Sequence, residues 1–82
     1  MASLPEAGNT MNLHDEPIGS VFWTQDGSYR ARLELNIKGT DIFECVLFND
    51  DGLQLRTVRY SGEGKALCSS SRFNLTKYIP TH

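Results

Sequence analysis

SYRARLELNI, residues Ser28 to Ile37, decides how this chain folds. Tyr29, Ala31, Leu33, Leu35 and Ile37 alternate with Arg30, Arg32, Glu34 and Asn36. Only an extended strand sends successive side chains to opposite faces, so the segment reads as a strand with one buried face. The core face then carries Leu33 and Leu35, and the second face carries the arginines.

The neighbouring segments read in the same way. Val21-Phe22-Trp23-Thr24 is a short strand leading into Gln25-Asp26-Gly27, where glycine suits the left-handed position of a three-residue hairpin loop. Closing that loop with Thr24 opposite Ser28 pairs Val21 with Ala31, Phe22 with Arg30 and Trp23 with Tyr29. Trp23 then belongs to the core face and Phe22 to the second face. Ile42 to Phe48 (IFECVLF) is apolar on both faces except at Glu44, as in a central strand.

Two registers join these strands with Phe43, Cys45 and Leu47 facing the core. One sets Glu34 against Glu44, a repulsive cross-strand pair. The other, closing on Lys38 and Ile42, sets Asn36 against Glu44 and Glu34 against Val46, and is the one expected. Asn49-Asp50-Asp51-Gly52 is a turn signal. With Asp50-Asp51-Gly52 as the loop, Leu55 pairs with Leu47 and Arg56 with Val46.

Beyond Tyr60 the pattern is harder to read. Ser61-Gly62-Glu63-Gly64-Lys65 is a turn; Ala66 to Ser69 and Arg72 to Ile79 could each be strands, with a short helix from near Ser71 as the alternative. The β-branched and aromatic residues of the last segment favour strand. The expected fold is all-β: an antiparallel up-and-down meander of five or six short strands curling into a small barrel of SH3-like or OB-like type. A meander covered by one terminal helix is second.

Eighty-two residues form one domain, which buries only roughly 60–65% of the surface its unfolded chain exposes. Residues 1–17 have no periodicity and two prolines, and read as a flexible acidic leader before a single β domain at 18–82. All eight Lys and Arg fall after residue 28, against six acidic residues, so a net charge of −2 conceals a body at +2. Two cysteines make no disulfide framework, and no apolar run approaches a membrane span. A cytoplasmic protein is expected, with no membrane association.

No motif carries catalysis. SGEGKAL, Ser61 to Leu67, resembles the end of a phosphate loop, but Arg59 stands where its first glycine would be and no Ser or Thr follows Lys65. Asn49 to Gly52 lacks the alternating oxygens and distal glutamate of a calcium loop. His14 and His82 are not spaced with Cys45 or Cys68 for zinc, and no histidine is placed to activate Ser69, Ser70 or Ser71. No enzyme activity, cofactor, metal or small-molecule substrate is expected. Asp26 to Arg32 (DGSYRAR) is similar to the first hairpin of three-stranded DNA-binding domains attached to phage integrases. That likeness spans less than a tenth of the chain and no helical period follows it, so no family is assigned.

The second face of the sheet remains. In the expected register it presents Phe22, Arg30, Arg32 and Phe48, with Gln54 and Arg56 beyond, and these are the candidate binding residues. Aromatic and arginine side chains are enriched at interface hot spots, and they also stack on unpaired bases. Cover by the leader or the C-terminal segment is the competing explanation. Nucleic-acid binders usually have pI above about 9, which a body at +2 does not approach. The expectation is therefore a small non-enzymatic protein-interaction or regulatory module, acting on a protein partner or by self-association. A single-stranded nucleic-acid-binding barrel is the alternative.

Overall fold

The computed structural model describes residues 11–68 and 70–77. A 3-10 turn at Leu13–Asp15 precedes β1 (Val21–Thr24), β2 (Arg30–Asn36), β3 (Ile42–Phe48) and β4 (Gln54–Ser61). A second 3-10 turn, Ser71–Phe73, leads into the two-residue β5 (Leu75–Thr76). All pairings are antiparallel, in the order β4-β3-β2-β1-β5. Four strands thus run up and down and the fifth returns beside the first, giving the all-β meander the sequence predicts, curled into a half-barrel.

The core lies on the concave side. Leu33, Cys45 and Val58 form one cross-strand row there, and Ala31 and Leu47 another; all are buried. Phe43 pairs with Tyr60, whose hydroxyl donates to the Phe73 carbonyl at 2.9 Å and so ties the final 3-10 turn to β4. The alternation in β2 therefore selects the core face correctly through Leu33.

Where the structure departs from the sequence reading, loop parity is the cause. The β1–β2 loop has four residues, Gln25–Ser28: Thr24 N donates to Tyr29 O, and Tyr29 N donates to the Thr24 hydroxyl. Asp26 holds it by accepting from Ser28 N and from Thr24 Oγ1, while Gly27 takes the left-handed conformation, φ +77°. One extra loop residue inverts β1. Phe22 pairs with Ala31 and is buried in the core, and Trp23 pairs with Arg30 on the convex face.

The β2–β3 register is also corrected. Arg30 pairs with Phe48 and Leu33 with Cys45, a spacing that continued would set Glu34 against Glu44. The ladder instead shifts between Leu33 and Leu35, Glu34 becomes the extra residue of a β-bulge, and Leu35 faces Glu44. Leu35 is consequently exposed, not a core residue. In the β3–β4 hairpin the predicted loop Asp50-Asp51-Gly52 is present, with Asn49 N donating to Leu53 O. A second bulge at Leu55 then moves Arg56 opposite Leu47 instead of Val46.

Residues 1–10 lie outside the described residues, but Met11 and Leu13 are buried in the core and Leu13 N donates to Gly62 O. Among the described residues, the segment after Tyr60 makes one isolated bridge, Tyr60 with Ala66, in place of a sixth strand. Both readings of the C-terminal segment hold in part, a 3-10 turn followed by a strand. Ile79 lies outside the described residues.

Candidate functional site

Antiparallel pairing builds the convex face in rows. Trp23, Arg30, Phe48 and Gln54 form one across four strands; Val21, Arg32, Val46 and Thr57 form the next. Arg30 is the centre of the first row. Its guanidinium carbon stands 5.4 Å from the ring centroids of both Trp23 and Phe48, close enough for cation–π attraction on either side. Nη2 donates to Asp50 at 3.0 Å, while Nε is enclosed without a hydrogen-bond partner. Ring stacking and one carboxylate therefore hold this side chain.

Of the six sequence-predicted residues, the structure brings Arg30, Arg32, Phe48 and Gln54 together on this face. Phe22 is in the core and Arg56 lies on the concave side. Trp23 is the residue sequence reasoning assigned to the wrong face; the Thr24-x-Asp26 pattern that sets a four-residue loop was the available signal. Each cation of the face has a carboxylate: Arg30 with Asp50, Arg32 with Glu34 at 2.5 Å, and Arg59 with Glu44 at 3.3 Å.

A second feature lies on the concave side, at the end of the sheet where β4 begins. Tyr29, Leu47, Leu55, Arg56, Arg72 and Phe73 line a cleft of about 320 Å³. Arg56 and Arg72 approach the Phe73 ring at 5.2 and 4.8 Å, and Tyr29 packs on it at 5.9 Å. Arg72 has Asp26 at 3.8 Å, a distance too long for a hydrogen bond. None of the six lining residues is acidic.

The remaining polar groups serve the fold. Asn49 Oδ1 accepts from Asp51 N and Leu53 N, so the acidic turn is an Asx turn. Gly62 and Gly64 are sites of close approach: a Cβ at 64 would stand 2.6 Å from Met11 Sδ, and one at 62 would collide with the Asp41 carboxylate. His14 Nε2 meets Asp41 Oδ1 at 2.5 Å with its ring edge-on to Phe43, and Asp41 Oδ2 accepts from Gly62 N. The His14 hydrogen bond, then that of Gly62, holds the Asp41 carboxyl below its ordinary value. For Asp26, burial acts to raise the pKa, but hydrogen bonds from Ser28 N, Thr24 and Ser28 together with Arg72 bring it below the ordinary value.

Burial, with Glu34 adding to it, pushes the Cys45 thiol up to about 12, which keeps it protonated and inert. Cys45 and Cys68 are both free, the second exposed. Among the described residues no cluster of three or more His, Cys, Asp or Glu could hold a metal ion, and no helix is long and apolar enough to cross a membrane. Comparison of the chain with protein-family models, with curated proteins and with solved structures finds no match.

Proposed function

We propose that this domain is a small non-enzymatic interaction module that binds a protein partner through the convex face of its sheet. The observation that carries the reading is the Trp23–Arg30–Phe48 stack. Two half-buried rings and a guanidinium already held between them offer a broad apolar contact with few rotamers left to freeze on binding. Val21, exposed in the next row, extends the apolar strip. Arg32 and Gln54 contribute polar contacts at its margin.

The charge pairing supports a protein partner over a single-stranded nucleic acid. A phosphate backbone is bound by cations that shed counterions, whereas Arg30, Arg32 and Arg59 each already face a carboxylate. Two free cysteines are what supports placing the domain in the reducing cytoplasm.

The test is affinity capture from the native host with wild type, Phe48→Ser and Arg30→Glu, with and without nuclease. The reading expects a nuclease-resistant partner that both variants lose while Lys65→Glu, on the turn after β4, retains it. A partner that survives both convex-face variants, or one released by nuclease, would sink it. Melting curves of the variants separate lost binding from lost folding.

A further inference from the structure

We infer that the first half of β4 and the cleft beside it form a second binding site, which takes an extended acidic segment of a partner protein as an added strand. It is independent of the convex face.

The two halves of β4 have different surroundings. Toward its end, Ser61 N donates to Lys65 O and Arg59 O accepts from Leu67 N, so Lys65–Leu67 lies along the outer edge there. These bonds also fix direction. Arg59 and Ser61 point their backbone groups away from β3, and by the alternation of an antiparallel ladder Thr57, two residues earlier, does the same. Among the described residues nothing pairs with that edge before Arg59. Gln54 to Thr57 are all exposed. An outward N–H and C=O on a terminal strand are a template for another strand.

Edge strands commonly carry a bulge and a basic side chain to discourage such pairing, and β4 has both, at Leu55 and Arg56. The cleft distinguishes this edge from one that is merely guarded. The bulge turns Leu55 and Arg56 toward the concave side, where Leu47, Tyr29 and Phe73 form an apolar floor. Arg72 arrives from a different part of the chain to put a second guanidinium over the same ring. A strand laid along β4 would send alternate side chains into this cleft, where an apolar side chain meets Leu55 and Phe73 and a carboxylate two residues further along, on the same face, meets Arg56.

Charge selects the occupant. The open half of β4, Gln54 to Thr57, carries Arg56 and no acidic residue, and Arg72 adds a second cation beside it, so a second copy laid antiparallel along it would bring Arg56 close to its own counterpart. An acidic strand is complementary to β4 and to the cleft alike.

The probe is a blocked pentapeptide with leucine at its second position and glutamate at its fourth, which share one face of a strand, and serine elsewhere, titrated into the full chain at low salt with backbone amides followed by NMR; the same peptide with lysine in place of glutamate is the control. Expected are shifts centred on Leu55 to Val58, slowed exchange of the Thr57 amide, and affinity that falls with salt. Thr57→Pro deletes an N–H that β3 does not use and should weaken the peptide about tenfold or more, as should Arg56→Glu, which leaves the strand backbone intact. Phe48→Ser should bind as wild type. Equal binding of both peptides, no binding of the acidic one, or undiminished binding by Arg56→Glu would overturn the inference. So would shifts confined to Trp23 and Arg30. A concentration-dependent dimer abolished by Thr57→Pro would overturn it in favour of self-pairing.

Discussion

β4 is one strand with two unlike ends. At its closed end, Val58 and Tyr60 are buried, the turn after Ser61 packs against Met11, and backbone bonds run to Leu13, Lys65 and Leu75. At its open end, Leu53 and Leu55 are 62% and 44% exposed, and among the described residues the strand is held there from one side, by β3. The same backbone geometry thus stabilises the fold at one end and leaves hydrogen-bonding groups to solvent at the other. In a chain this short, whose core is small, a surface able to bind has to come from an element that the fold has not finished covering.

That contrast sets the largest expected effect. Tyr60→Ala removes a fully buried ring and its bond to Phe73 O, and should cost about 3–5 kcal/mol, lowering the melting temperature by roughly 15 °C or more. Leu55→Ala at the other end should stay within about 0.5 kcal/mol. Comparable losses in thermal melts would mean that the cleft is part of the core.

Glycine replacements divide the ends more finely. Gly52 and Gly64 have nearly the same left-handed backbone, φ +80° and +81°, so alanine strains both by about 1–2 kcal/mol. A Cβ at 52 meets open space, whereas one at 64 also strikes Met11 Sδ. Gly64→Ala should therefore be the more damaging in denaturant unfolding, and the excess measures how tightly the segment at Met11 is held. Equal costs would show that segment to be loosely docked.

How much of this was legible in the sequence follows from parity. The β2 alternation and the two-faced apolar run of β3 mark strands and core from Ala31 to Leu33 and from Phe43 to Leu47. Side-chain period cannot count loop residues. Thr24 and Asp26 lengthen one turn to four residues, and Phe22 and Trp23 exchange faces. The bulge at Leu55 does the same to Arg56. The convex row survives in part because Arg30 and Phe48 lie on the two strands read in phase. The cleft was not legible, since it needs a bulge and a ring, Phe73, that the chain brings from far along its length.

The closed end should also be the acid-sensitive one. The Asp41 carboxyl is held below 3.8 by His14 and by Gly62 N, so its folded pKa lies below its unfolded value. The stability it adds is present above about pH 4 and is lost as pH falls through the lower folded value. The advantage of wild type over Asp41→Asn should shrink as pH falls below about 4. An advantage unchanged by acid would remove the carboxylate from the stitching of the turn.

The smallest expected effect concerns the bulge at Glu34. Repulsion between Glu34 and Glu44 is one explanation for it, because the pairing from Arg30 to Leu33 would otherwise set them face to face. The turn that follows is another. Ile37 N donates to Ile42 O around a four-residue loop, and Asn36 Nδ2 donates to the carbonyls of Thr40 and Ile42 at 3.1 and 2.9 Å. Those bonds fix the register beyond the bulge one residue away from the register before it, whatever the charge at 34. Glu34→Gln loses only a partly exposed ion pair with Arg32, so stability should change by less than about 0.5 kcal/mol. Cross-strand contacts between Leu35 and Glu44 should persist in NMR spectra. If neutralising Glu34 instead drew Leu35 into the core, charge rather than the turn would be setting the register, and the closed end of the sheet would be held by electrostatics to a degree its hydrogen bonds do not suggest.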